Sequence, residues 1–116
     1  MGEDMEKIVE QGLLYDFYGE LLTDHQKIIY EESVYNDMSL SEIADKIGIS
    51  RQGVHDLLKR CDKILLEYES KLHLVEKFIK IKSSIQEINR ISESAIAENS
   101  EIQRIKKLSN EILEEL

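Results

Sequence analysis

The sequence has no proline and no tryptophan, five glycines and a single cysteine among its 116 residues. Without proline and with so little glycine it lacks the turn punctuation that repeated strands require, which excludes a β-sandwich or barrel and predicts an all-α chain. One cysteine permits no intrachain disulfide. Cys61 stands at helical spacing between Leu58 and Leu65, which predicts a small buried side chain rather than a reactive thiol. No apolar run approaches the roughly 20 residues needed to cross a bilayer, so no membrane insertion is expected. The opening residues Met1 to Glu6 are acidic where a secretory signal is basic, and no apolar core follows them, which predicts a cytoplasmic protein. The length suits one compact domain, or a small domain with an appended hairpin, and excludes most large enzyme folds.

Charge is abundant but uneven. The chain carries 24 acids and 15 bases, a formal net charge of −9. Residues 1–37 hold ten acids and two bases (−8), residues 38–70 six and five (−1), and residues 71–116 eight of each (0). This balance argues against general affinity for a polyphosphate, and any nucleic-acid contact must come from a local patch.

Apolar Met5, Ile8, Val9, Leu13, Tyr15, Phe17 and Leu21 recur at roughly helical intervals and predict a first amphipathic helix ending near Tyr18–Gly19. Thr23 with Gln26 forms a capping box, opening a second helix to about Val34 whose buried stripe is expected to include Ile28, Ile29, Tyr30, Val34 and Tyr35. Asn36–Asp37 marks its stop.

The segment from Met38 to Arg60 says most. Ser39 with Glu42 is a second capping box, and Leu40, Ile43, Ala44 and Ile47 share one face of a helix about two turns long. Gly48 suits the left-handed position that ends such a helix, Ile49 is expected to plug the core, and Ser50 caps a new helix bearing Val54, Leu57, Leu58 and Cys61. Helix, short turn and helix over residues 39–60 constitute a helix-turn-helix, with small Ala44 at the crossing.

The apolar rhythm continues through Ile64, Leu65, Tyr68 and Leu72, extending the second helix of the motif to roughly Ser70. Residues 1–70 thus form a helical domain and residues 71–116 a C-terminal extension. In that extension Leu74, Val75, Phe78, Ile81, Ile85, Ile88 and Ile91 predict a further helix. Ser100 with Gln103 opens a last one carrying Ile102, Ile105, Leu108 and Ile112, with the hairpin turn near Glu98–Ser100. Nine isoleucines in the final 46 residues exceed what one short hairpin buries by itself. Phe78, Ile81, Ile85, Ile88, Ile102, Ile105 and Ile112 are the expected dimerisation residues of a homodimer. Folding back on the N-terminal half, or cover by a partner's helix, are the alternatives.

Catalytic patterns are missing. His25, His55 and His73 are far apart in sequence and belong to no zinc spacing, and Gly48 and Gly53 form no phosphate-cradling loop, so neither enzyme activity nor a metal or cofactor is expected. Nucleic-acid recognition has more support. From the Ser50 cap the helix presents Arg51, Gln52, His55, Lys59 and Arg60 away from the Val54/Leu57/Cys61 stripe, and residues near the start of a recognition helix are those that reach base edges. Residues 50–63 hold four bases against Asp56 and Asp62, a local +2.

Several stretches carry a family likeness. They are Tyr15-Asp16-Phe17-Tyr18 ahead of Leu21-Leu22-Thr23, Ser39-Leu40-Ser41-Glu42-Ile43-Ala44, Ser50-Arg51-Gln52, Lys59-Arg60, and Tyr68-Glu69 followed by Lys71-Leu72. From Leu22 to Arg60 the sequence resembles the fourth region of bacterial sigma-70-type factors, and over almost the whole chain it is similar to the YlxM-like helix-turn-helix family. The resemblance implies a sigma-70 region-four-like domain in a regulatory protein of the signal recognition particle pathway, since genes of this family typically neighbour those of the particle's GTPase and its receptor. It also implies that Arg51, Gln52, His55 and Lys59 stand at the promoter-contacting positions of sigma factors. Gly53 replaces a larger residue usual there, and His55 and Asp56 stand where sigma factors favour arginine and glutamine. The expected partners are duplex DNA or the particle's RNA, and its GTPase and receptor. A DNA-binding transcription regulator and a protein-interaction adaptor for the targeting GTPases remain as alternatives.

Overall fold

The structure is a computed structural model that describes residues 2–94 and 100–116, with side chains from residue 6 onward. The regular structure of these residues is all helical: α1 (Gly2–Tyr18), a 3-10 turn (Gly19–Leu21), α2 (Asp24–Val34), α3 (Leu40–Ile47), α4 (Arg51–Leu72), α5 (Leu74–Ser94) and α6 (Ser100–Glu115). The chain divides into two compact units, Met1–Val75 and Glu76–Leu116.

In the first unit the helix starts lie where capping chemistry puts them. Thr23 Oγ1 accepts from the Gln26 amide at 3.2 Å while Gln26 Oε1 accepts from the Thr23 amide at 2.9 Å. Ser39 and Glu42 repeat the arrangement at 3.1 and 3.3 Å. Each box satisfies two backbone N–H groups that a helix start otherwise leaves unpaired. Gly48 ends α3 with φ +82, its amide donating to the Ala44 carbonyl at 2.9 Å, a left-handed geometry that costs an L side chain about 1–2 kcal/mol per residue.

Two apolar clusters hold this unit together. Leu14, Tyr18, Leu22, Tyr30, Cys61, Leu65 and Val75 form one, and Ile29, Ile43, Ala44 and Val54 the other, with Leu58 packed against both. Polar ties fix how the helices meet. Asp62 accepts from Gln11 Nε2 at 3.0 Å and from the Tyr30 hydroxyl at 2.7 Å. The Tyr18 hydroxyl donates to Glu69 at 2.5 Å. Gln11–Asp62 and Tyr18–Glu69 are each separated by 51 residues, so α1 and α4 run parallel. Glu69 Oε1 also accepts from the Val75 amide at 3.0 Å, and Tyr18 Oη from the Leu74 amide at 3.1 Å. The first amides of α5 are thereby satisfied just beyond His73, whose φ of 56 ends α4.

Several residues expected in the core lie outside it. Ile8 and Val9 are exposed because they precede the Leu14/Tyr18 stripe of α1, and Phe17 lies beside that stripe. Leu21 is exposed because the 3-10 turn, at three residues per turn, rotates it off the α-helical stripe. Ile28 is 53% exposed, on the side of α2 opposite the buried Ile29 and Tyr30. Tyr35 is half exposed, its ring edge-on to Tyr15 and its hydroxyl donating to Asp16 at 2.8 Å. Ile49 does not plug the core: its amide is drawn back to the Ala44 carbonyl at 3.3 Å, and the side chain stays exposed.

In the second unit α5 and α6 face one another through Ser109 Oγ, 3.5 Å from Asn89 Oδ1, and through Lys106 and Glu93, 3.5 Å apart. Ser92 and Ser109 are buried. Of the expected dimerisation residues, Phe78, Ile85 and Ile102 are half-buried, while Ile81, Ile88, Ile105 and Ile112 are exposed. Ser100 is the first residue of α6, and Glu98 and Asn99, where the hairpin turn was expected, lie outside the described residues.

Candidate nucleic-acid interface

The start of α4 is fixed from three sides. Ser50, in extended conformation, accepts on Oγ from the Gly53 amide at 3.0 Å and so sets the first helical residue as Arg51. A Cβ placed on Gly53 would lie 3.1 Å from that same Oγ, so glycine gives the cap room to close. Val54 and Cys61 are fully buried and Leu57 packs on the Ile29/Ile43/Ala44/Val54 cluster, anchoring the inner face of α4 against α2 and α3. Behind the corner, Lys46 Nζ reaches Glu32 at 3.0 Å, and that hydrogen bond, with Asn36, holds the Glu32 carboxyl below the usual carboxylate range.

Anchoring one face leaves the other outside. At about 100° per residue, Arg51, Gln52, His55, Asp56, Lys59 and Lys63 fall within an arc of about 140° opposite Val54, Leu57 and Cys61, with Arg60 on its flank. Arg51, Gln52, Lys59 and Arg60 are exposed and His55 is half-buried. Arg51, Lys59 and Arg60 form no ion pair among the described residues. Arg51, Gln52 and His55 come together with Leu40 of α3 around one hollow, whereas Lys59 and Arg60 lie about two turns further along α4. Ser50 differs in kind from the rest, since its hydroxyl oxygen is occupied in capping.

Asp56, an acid among the bases of this helix in the sequence, makes contacts within the face. Gln52 Nε2 donates to Asp56 Oδ1 at 3.0 Å, and His55 Nδ1, shielded from solvent and without a hydrogen bond, lies 3.5 Å from the same oxygen. The signal was available, because glutamine and aspartate four apart on a helix are hydrogen-bonding neighbours. Leu40 was seen only as a core residue, and its place at the hollow follows from the α3–α4 crossing.

No group of three or more His, Cys, Asp or Glu residues among those described is placed to hold a metal ion. No helix among them is long and apolar enough to cross a membrane.

The Ser39 box, the left-handed Gly48, the Ser50 cap and the anchored inner face of α4 define a helix-turn-helix protein. The chain belongs to the UPF0122 family, described as "Putative helix-turn-helix protein, YlxM / p13 like", whose family model matches residues 5–109. It is 40% identical over 116 residues to a UPF0122 protein of Acetivibrio thermocellus, covering 95% of this chain and 99% of that one. It is 44% identical over 104 residues to a UPF0122 protein of Thermoanaerobacter sp. (strain X514), covering 90% and 88%. A UPF0122 protein of Shouchella clausii is 41% identical over 107 residues, with 90% and 98% covered. No solved structure matches the chain at a significant level.

Proposed function

We propose that the chain is a non-enzymatic regulatory protein that binds nucleic acid through the outer face of the first turns of α4. The observation that carries this reading is that Arg51, Lys59 and Arg60 stand exposed and, among the described residues, without an ion pair on a helix whose opposite face is locked into the core. Cations held in this way can replace the counterions of a phosphate backbone, while the short helix before Gly48 leaves the start of α4 free to enter a groove. Family membership supports the same reading. The cytoplasmic signal recognition particle pathway, as the process regulated, and the sigma-70 region-four-like character of the domain rest on the resemblance carried by Ser39–Ala44, Ser50–Gln52 and Lys59–Arg60.

A transcription regulator would use the same face on promoter duplex. An adaptor for the targeting GTPases would use the acids of residues 1–37 against a basic partner. Four of those acids are already occupied: Glu31 accepts from the Tyr15 hydroxyl at 2.5 Å, Asp16 from the Tyr35 hydroxyl at 2.8 Å, Glu20 pairs with Lys27 at 3.1 Å, and Glu32 holds Lys46. A docking test therefore belongs at exposed Glu6, Glu10 and Asp24. The isoleucines that stay exposed on α5 and α6 favour a second copy of the chain as the cover for the hairpin.

A side-by-side comparison at one physiological salt concentration distinguishes these roles, using duplex DNA, the particle's RNA and the particle's GTPase as ligands. The proposal expects a nucleic acid to bind more tightly than the GTPase and the Arg51→Ala/Lys59→Ala variant to lose that advantage. Equal nucleic-acid binding by the variant would remove α4 from the function. Binding of the GTPase alone would establish the adaptor.

A further inference from the structure

The cationic face of α4 carries an exposed acid, Asp56, among its bases. Its side chain is 61% accessible. It forms no ion pair with Arg51, Lys59, Arg60 or Lys63 among the described residues, and its Oδ1 lies 3.5 Å from His55 Nδ1. Against a phosphate backbone its charge is repulsive and lowers affinity. Its geometry is nevertheless fixed: Oδ1 takes a hydrogen bond from Gln52 Nε2 one turn earlier, which leaves Oδ2 as an acceptor on the outer surface.

An ionised carboxylate accepts hydrogen bonds and donates none. In the major groove of B-form DNA the matching donors are the N4 amino group of cytosine and the N6 amino group of adenine, whereas guanine N7 and O6 and thymine O4 are acceptors that a carboxylate repels. The major groove of A-form RNA is too deep and narrow for side chains to read. The geometry points to Asp56 as the specificity-determining residue of this face: braced by Gln52, its carboxylate accepts a hydrogen bond from the exocyclic amino group of a cytosine or adenine in the major groove of duplex DNA. This rests on α4 being the nucleic-acid-binding helix, and it names duplex DNA as the partner. Asp56 lowers affinity for every sequence and restores it for sequences that present the amino group, which raises the ratio between specific and non-specific binding.

The test is selection of bound duplexes from a randomised library by the full-length protein and by Asp56→Ala. Affinities are then measured for the selected duplex and for copies in which the selected base lacks its amino group, 2-pyrimidinone for cytosine and purine for adenine. For the wild-type chain one position enriches cytosine or adenine, and deleting that amino group weakens binding about 5- to 150-fold, the range expected of one good base contact. For Asp56→Ala the enrichment at that position disappears, the deletion costs nothing, and unrelated duplex is bound at least as tightly as by wild type. The same base selected by both proteins, or an equal loss in both on deleting the amino group, overturns the assignment. Duplex binding that depends on Arg51 and Lys59 but shows no selected base overturns it while leaving the binding face in place. Failure of the wild-type chain to retain any duplex overturns the binding face, and the assignment with it.

Discussion

At the residue scale, the first unit is tied together by hydroxyls rather than by surface ion pairs. Tyr15, Tyr18, Tyr30 and Tyr35 each donate to a carboxylate, at 2.5, 2.5, 2.7 and 2.8 Å. Each bond requires the phenol to keep its proton. Burial, followed by the bonded carboxylate, pushes all four phenols up from their ordinary value of 10.0, Tyr35 to about 12. Burial likewise pushes the Cys61 thiol from 9.0 up to about 11. Unfolded, these groups ionise near their ordinary values; folded, they hold their protons to higher pH. The stability they confer is therefore complete below about pH 9 and declines as pH rises through the ordinary values toward the folded ones. Urea midpoints should be level from pH 7 to 8.5 and fall steadily from pH 9 to 11. A midpoint that rises or stays flat across that range would show that the hydroxyls do not tie the helices. The same burial keeps the Cys61 thiol protonated and covered near neutral pH, so it should resist alkylation until the chain unfolds.

At the scale of elements, most of the fold was legible because its signals are local. Thr23 with Gln26, Ser39 with Glu42, Gly48 and Ser50 each act over three or four residues, and α2, α3 and α4 start where these caps dictate. What was not legible depends on neighbours distant in sequence. Nothing within the run from Met5 to Leu21 says that the chain tightens into a 3-10 turn at Gly19, which turns Leu21 outward. Nothing around Ile28 says which flank of α2 faces α4. Of the candidate site, the outward set Arg51, Gln52, Lys59 and Arg60 was legible from periodicity alone; the spacing of Gln52 and Asp56 also allows their bond, and only the rotamers decide that it forms. The hairpin raises the converse case, apolar positions without a cover. Ile88 and Ile105 are 42% and 44% exposed, and together with Ile81 and Ile112 they favour burial by a second hairpin. Light scattering at micromolar concentration should therefore give twice the 13.5 kDa chain mass, and Ile88→Glu with Ile105→Glu should restore the single mass while helicity is kept. A wild-type chain that scatters as a monomer would rule out the homodimer.

For the whole molecule, charge distribution decides what kind of binding is available. A chain of net charge −9 with ten acids in residues 1–37 does not gather polyanions indiscriminately; on the proposed reading, affinity for nucleic acid arises where α4 gathers Arg51, Lys59, Arg60 and Lys63 on its outer side. A local patch against a repulsive surround neutralises few phosphates and gives a binding constant that responds to each of them. The most direct measurement is the dependence of duplex affinity on salt for the wild-type chain and for Arg51→Ala/Lys59→Ala. With two cations on phosphates, the slope of log affinity against log salt should be shallower in the variant by about 1.8, near 0.9 for each phosphate no longer neutralised. Parallel lines for the two proteins, displaced or superimposed, would mean that phosphate is met elsewhere, and would contradict α4 as the binding helix.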